Sequence, residues 1–347
     1  MAIPILSFSG DAFDIGQQIG EHSAAVMHHY LLQSPMWREL QKWKSSCRLQ
    51  TLEEIARHKF PLYFKEIEGI SKGAELDFQD VFLWNCRGDL LEHSPEGCTT
   101  YLVPGYQSTL LGHNEDGDPG FRDHVFIAEI KPEKEIGFTS FVYPCSLPGH
   151  AFAVSETGLV QTVNNVRLKN RGIGVPRQFL SRAVLAAENL DEALALFNQL
   201  DRSGVYHHIL AQVGDDRLLS IEATAERLSV KTITAPYGHA NHLIHPELSN
   251  QPQTVTKSSW ARQQRIDELC INLPLNSDRE TVCRSLWDQK NKEFPIYRED
   301  PDNEHTLATA VFEIMKDKIV WTVYASKSEI GIFEKTVLTR LAKNSGI

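Results

Sequence analysis

The spacing of apolar residues changes near residue 97, dividing the chain into a helical first part and a strand-rich remainder. At the start, a short apolar piece leads into Gly10-Asp11-Ala12-Phe13-Asp14-Ile15-Gly16-Gln17-Gln18-Ile19-Gly20, where Asp11 is an N-cap candidate ahead of helical spacing. Gly16 and Gly20 lack the setting of a phosphate loop and predict close helix packing instead. Leu52, Ile55, Phe60, Leu62, Ile67 and Ile70 recur near a helical period across 51–74, with a break at Pro61. Asp77 then caps a helix running toward Arg87. This part ends in Leu91-Glu92-His93-Ser94-Pro95-Glu96, a polar loop suited to exposure and cutting.

Downstream, 101–103, 109–111, 125–130, 137–142, 151–154 and 159–163 are short β-rich runs separated by turn residues, so they predict successive antiparallel strands. Gly112-His113-Asn114-Glu115-Asp116-Gly117-Asp118 reads as a polar turn after the second run. Two helices are expected between Pro176 and Leu200, meeting near Asn189-Leu190-Asp191. Strands follow at 209–213, 218–223 and 228–230, then a charged helix at about 258–269, then strands at 309–314 and 318–324. This order predicts an α+β fold of antiparallel sheets with helices on their outer faces.

Composition narrows the function classes. With 23% charged and 41% hydrophobic residues, the 347-residue chain has the makeup of a folded protein with a sizeable core. Its 45 acidic against 35 basic residues give a formal charge of −10, and without a basic patch nucleic acid is excluded as a partner. No apolar run reaches the length of a membrane span, and Met1-Ala2-Ile3-Pro4-Ile5 lacks a basic export region, which together predict a cytoplasmic protein without a membrane partner. The six cysteines (Cys47, Cys86, Cys98, Cys145, Cys270, Cys283) are scattered without CxxC pairs, as in a reducing compartment.

One cysteine stands in a reactive setting. In Gly97-Cys98-Thr99-Thr100 a thiol opens an apolar segment just after the exposed loop. If the chain is cut before Cys98, the new α-amino group, with a reference pKa of about 7.7 to 8.0, is available to take the thiol proton. Gly97 lacks a Cβ and tolerates the backbone geometry that self-attack requires. An antiparallel return would bring Asn114 and Asp116 beside Cys98, where they orient the amine and the attacked amide. The segment 113–118 does not match a calcium loop, and His239, His242 and His245 do not match zinc spacing. No metal or cofactor is therefore expected. Asn241, in the same loop as those histidines, is a candidate oxyanion donor. Thr100, Asn114, Glu115, Asn164 and His305 are candidate substrate contacts.

Taken with their order, Gly97-Cys98-Thr99-Thr100, Leu111-Gly112-His113-Asn114-Glu115-Asp116 and Asn241-His242 resemble the acyl-coenzyme A:6-aminopenicillanic acid acyltransferase family of N-terminal nucleophile hydrolases. Phe13-Asp14-Ile15-Gly16, the 66–74 and 77–80 segments, Gly158-Leu159 and the Pro176 helix extend the similarity along nearly the whole chain. The resemblance implies a four-layer αββα sandwich and autocatalytic cleavage between Gly97 and Cys98. It divides the chain into a helical leader, 1–97, which stays as a partner fragment, and a catalytic body, 98–347. It also implies Cys98 as nucleophile and, through its amine, base; Asn241 with the Cys98 backbone as oxyanion hole; and Asp116 as an aid to maturation or catalysis. Where the family often has an apolar residue, this chain has Glu115, which alters the acyl pocket if it points inward. The expected activity is thioester transfer from a small amide or acyl-CoA to water or an amine, and a homo-oligomer remains open. The competing reading is an uncut αββα protein that binds a small ligand or partner, with a structural Cys98.

Overall fold

The computed structural model describes residues 3–91, 97–204, 206–273, 277–302, 304–328 and 330–338, so most of the expected cutting loop, 92–96, lies outside the described residues. Among them are two sheets. The eight-stranded sheet has the order β1 (Ile5–Gly10), β4 (Phe126–Pro132), β5 (Phe138–Val142), β6 (Phe152–Ser155), β7 (Leu159–Asn165), β8 (Tyr206–Gln212), β9 (Leu218–Ala223) and β10 (Leu228–Thr232). The six-stranded sheet runs β11 (Tyr237–His239), β2 (Gly97–Val103), β3 (Thr109–Gly117), β12 (His305–Ile314), β13 (Lys318–Tyr324) and β14 (Phe333–Leu338). The sheets are antiparallel as expected, with one parallel ladder, between β1 and β4. A parallel pair needs a long crossover, and here nearly all of the helical first part intervenes between the two strands.

The helices are α1 (Ala12–His29), α2 (Pro35–Gln41), α3 (Cys47–Lys59), α4 (Pro61–Ala74), α5 (Phe78–Asn85), α6 (Arg87–Leu90), α7 (Arg177–Val184), α8 (Leu190–Gln199), α9 (Lys257–Ile271) and α10 (Arg279–Leu286). Helix α1 packs on β1 and β4, and α8 on β8, covering the eight-stranded sheet. Helices α9 and α10 cover β2, β3, β11 and β12, while β2 faces β7 across the space between the sheets. The result is the four-layer αββα sandwich that the resemblance implies. Among the described residues, no helix is long and apolar enough to cross a membrane.

Local chemistry sets the boundaries. Asp11 accepts from the Asp14 backbone N–H while Asp14 accepts from that of Asp11, a reciprocal cap that starts α1. Pro61 occupies the first turn of α4, where its missing N–H costs nothing, so the expected break becomes a junction between α3 and α4. Gly16 and Gly20 serve close packing, as expected. A Cβ on Gly16 would lie 2.0 Å from the Glu66 carbonyl oxygen in α4. That turn is anchored by the buried Glu66 carboxylate on Arg182 Nε at 3.1 Å, so the backbone has little freedom to yield. Gly16→Ala should therefore cost about 1–3 kcal/mol, read as a lower urea midpoint at unchanged slope. An unchanged midpoint would show that the two helices do not meet this closely.

The segment 112–118 departs most from its sequence reading. It is not a turn: β3 continues through Gly117, paired on one side with β2 and on the other with β12. Ladders on both flanks satisfy its backbone, and its polar side chains find buried partners on both faces, so polarity does not end the strand.

Candidate active site

The β2–β3 register sets Cys98 opposite Glu115 and Gly97 opposite Asp116. Alternation then sorts the side chains into two groups. Cys98, Thr100, His113 and Glu115 face the inter-sheet space, whereas Thr99, Asn114 and Asp116 face the layer of α9 and α10. All seven are buried.

On the α9 face, the Arg262 guanidinium ties the start of β2 to the segment after β11. It donates to the Cys98 carbonyl oxygen at 2.5 Å, to Thr99 Oγ1 at 2.8 Å and to Asn241 Oδ1 at 2.6 Å. Asn241 Oδ1 also accepts the Cys98 backbone N–H at 3.0 Å, while Asn241 Nδ2 donates to the Asn165 carbonyl at 2.9 Å. One amide thus holds the nitrogen of the bond whose cleavage the sequence suggests. Asp116 accepts from Thr306 Oγ1 at 2.6 Å through Oδ1, and its Oδ2 has no hydrogen-bond partner among the described residues. Burial pushes the Asp116 carboxyl above its usual range, and the nearby Arg262 and Arg298 oppose that shift without cancelling it.

In the inter-sheet space, the Cys98 thiol donates to Glu115 Oε2 at 3.5 Å. Burial first, then the Glu115 and Asp116 carboxylates, hold the thiol well above its ordinary range; the Asn165 backbone N–H and Arg262 pull the other way and do not prevail. In the uncut chain the sulfur is therefore a protonated thiol that needs a base. Glu115 Oε1 accepts from Tyr143 OH at 2.9 Å, and Oε2 lies 3.1 Å from His113 Nε2. Burial lowers the His113 pKa to about 3, so the ring is neutral at physiological pH. Its Nδ1 lies 2.8 Å from Thr100 Oγ1, which donates to Asn164 Oδ1 at 2.8 Å. Asn164 Oδ1 also faces His207 Nδ1 at 3.0 Å, and the polar seam continues through Ser220 to His245.

The sequence candidates therefore separate. Cys98, Asp116 and Asn241 converge, as do Glu115, Thr100 and Asn164. Asn114 does not join them: its amide donates to the Leu286 and Ile296 carbonyls and accepts from Thr309, fastening the sheet to the α10 layer. One residue from Glu115, it lies on the opposite face, and two residues from Asp116, it lies too far along the strand to share that residue's role. His305 begins β12, where Arg122, Glu299 and Asp300 are its charged neighbours. Gly97 is not at positive φ; a Cβ there would come 3.2 Å from Glu304 Oε2 and 3.3 Å from an Arg262 nitrogen, so crowding rather than strain accounts for the glycine. His239, at the end of β11, and the two histidines after it diverge: His239 Nε2 to Glu222 at 3.0 Å, His242 Nδ1 to Ser259 at 2.8 Å, and His245 between Ser220 and Ser229.

Sequence reasoning missed Arg262, Arg298 and Tyr143. Arg262 lies on a charged helix, where a buried guanidinium looks like any surface arginine; its only signal is a fourfold spacing from Ser258, which it contacts at 3.2 Å.

Compared with known proteins, residues 104–329 match the family model of acyl-coenzyme A:6-aminopenicillanic acid acyl-transferase. The match begins beyond Cys98 and includes Asp116, Asn164, Asn241 and His305. The chain is 31% identical to the beta-alanyl-dopamine/carcinine hydrolase of Drosophila melanogaster over 59% of its length and 58% of that protein's. It is 23% identical to the 40 kDa form of the acyl-coenzyme A:6-aminopenicillanic-acid-acyltransferase of Emericella nidulans, over 76% of each. Among solved structures it is similar to a mutant conjugated bile acid hydrolase from Clostridium perfringens, with TM-score 0.43 and 10% identity, covering 70% of this chain and 92% of that one.

Proposed function

Because the chain belongs to the acyl-coenzyme A:6-aminopenicillanic acid acyltransferase family, we propose that it is a self-processing amide hydrolase or acyltransferase that works through a thioester on Cys98. The convergence of Asn241, Arg262 and the Asp116–Glu115 strand on the Gly97–Cys98 bond carries this reading.

In maturation, Cys98 Sγ gives up its proton and attacks the Gly97 carbonyl carbon. The Gly97 C–Cys98 N bond breaks, the nitrogen takes a proton, and a thioester joins Gly97 to sulfur. Water then releases the Gly97 carboxylate and the free thiol. Glu115, whose Oε2 accepts from the Cys98 thiol at 3.5 Å, is the group suited to receive the first proton, while Asp116, cross-strand from Gly97 with one oxygen fixed by Thr306, supports the bond from the other face of the sheet. The freed α-amine stays on Asn241 Oδ1 and serves as base in turnover, when sulfur attacks an amide or acyl-CoA carbonyl and the leaving group takes the proton. Hydrolysis follows if water attacks the thioester, and acyl transfer if an amine does. Small amides or acyl-CoA thioesters are the substrate class.

Cleavage would leave residues 1–97 bound as a subunit, because β1 pairs with β4, Trp84 Nε1 donates to the Pro144 carbonyl at 2.9 Å, and Asn85 bonds to both Cys145 and Leu147. Asn241→Ala removes the acceptor on the Cys98 nitrogen and, on the same side chain, an amide donor that now holds the Asn165 carbonyl. It should lower turnover by about 10²-fold or more with the fold kept. Rates equal to wild type in a burst-acylation assay would take Asn241 out of the site.

A further inference from the structure

We propose that Cys98 Sγ, His113 Nε2 and Glu115 Oε2 form a binding site for a borderline-soft divalent cation of the zinc class, which closes off the nucleophile when filled. The three atoms lie within 4.8 Å of one another, with Sγ 3.5 Å and Nε2 3.1 Å from the same carboxylate oxygen. A tetrahedral zinc site with arms of about 2.0–2.3 Å has ligand-to-ligand edges of roughly 3.3–3.8 Å, so small side-chain adjustments suffice.

Strand register makes the cluster. Cys98 and Glu115 are direct cross-strand partners, and His113 is two residues along β3 on the same face. Each flanking ligand also has the outer contact that a metal ligand needs. His113 Nδ1 is engaged by Thr100, which is fixed in turn by Asn164, leaving Nε2 toward the cluster. Glu115 Oε1 is held by Tyr143, leaving Oε2. The donor set of sulfur, imidazole nitrogen and carboxylate oxygen suits zinc and disfavours magnesium or calcium, which take oxygen ligands.

Charge balance agrees. On binding, the Cys98 thiol releases its proton to solvent and a metal–sulfur bond forms. Thiolate and carboxylate together cancel the dication, and the imidazole adds no charge, so the filled site is neutral in a buried place. After maturation, the Cys98 α-amine is available as a fourth donor. A thiolate that shares a lone pair with the metal is a much weaker nucleophile, so the cation would reversibly slow both self-cleavage and acylation. That consequence rests on Cys98 being the nucleophile; the binding itself does not.

The test is titration of the reduced full-length protein with Co2+ alone under anaerobic conditions. One equivalent should bind with a thiolate-to-cobalt charge-transfer absorption that Zn2+ abolishes. The band should vanish in Cys98→Ser, and affinity should fall at least about tenfold in Glu115→Gln and in His113→Gln. A wild-type protein without the band, a band that survives in Cys98→Ser, or unchanged affinity in both other variants would overturn the site. The wild-type spectrum decides even if a variant fails to fold. Metal-free burst acylation reports the nucleophile separately: acylation without the cobalt band removes only the metal site, and the band without acylation removes only the enzyme reading.

Discussion

Cys98→Ala should remain a single 347-residue polypeptide on prolonged incubation, where the wild-type protein separates into fragments 1–97 and 98–347 on intact-mass analysis. The substitution deletes the atom that attacks Gly97, and no neighbouring hydroxyl replaces it: Thr99 lies on the opposite face of β2 under Arg262, and Thr100 is committed to Asn164. Without the cut there is no α-amine, so the variant loses nucleophile and base together. Turnover should fall by about 10⁴-fold or more, leaving what binding and the remaining dipoles supply. Fold stability should change far less, since the thiol's bond to Glu115 is long, at 3.5 Å, and its other named partner is the Asn165 backbone N–H. An uncut wild-type chain whose Cys98 resists thiol reagents would leave the competing reading, a binding protein with a structural cysteine.

How far such a site can be read from sequence depends on where its chemistry lies. Cys98 was legible because it marks the shift from helical to strand periodicity, and Asp116 and Asn241 because they stand in short polar segments beside apolar runs. The polar density of 112–118 hid the strand that carries it, since a buried polar seam between two sheets breaks the rule that polar residues end strands. The face to which Asn114 points was not legible: strand alternation is strict, but its phase is set only by the partner register. Strand β11, at three residues, was too short and β14 too exposed at a sheet edge for their periods to register. Arg262 was hidden for another reason: its partners at the site lie 164, 163 and 21 residues away, and its spacing from Ser258 is common on charged helices.

That arginine carries the second large prediction. Arg262→Lys should slow both self-cleavage and acyl turnover by about 10²- to 10³-fold while the protein stays folded. The guanidinium holds the Cys98 carbonyl and Thr99 Oγ1 with one nitrogen, Asn241 Oδ1 with a second and Ser258 Oγ with the third. A lysine presents one ammonium at one point and cannot span these acceptors. The Cys98 peptide plane and the Asn241 amide would then no longer share a fixed frame, and misplacement of a reacting group by about 1 Å is worth about a hundredfold in rate. Arg262→Met separates the remaining contribution. It removes the fork and also the positive charge that opposes the burial of Asp116, so that carboxyl moves further above its usual range and is less available as an anion beside the Gly97–Cys98 bond. The methionine variant should therefore process more slowly than the lysine variant. Equal rates in the two would mean that geometry alone matters, and a wild-type rate in Arg262→Lys would mean that the positive charge suffices without the fork. Processing is followed by intact mass and turnover by the acylation burst, so a defect in maturation is read separately from one in catalysis.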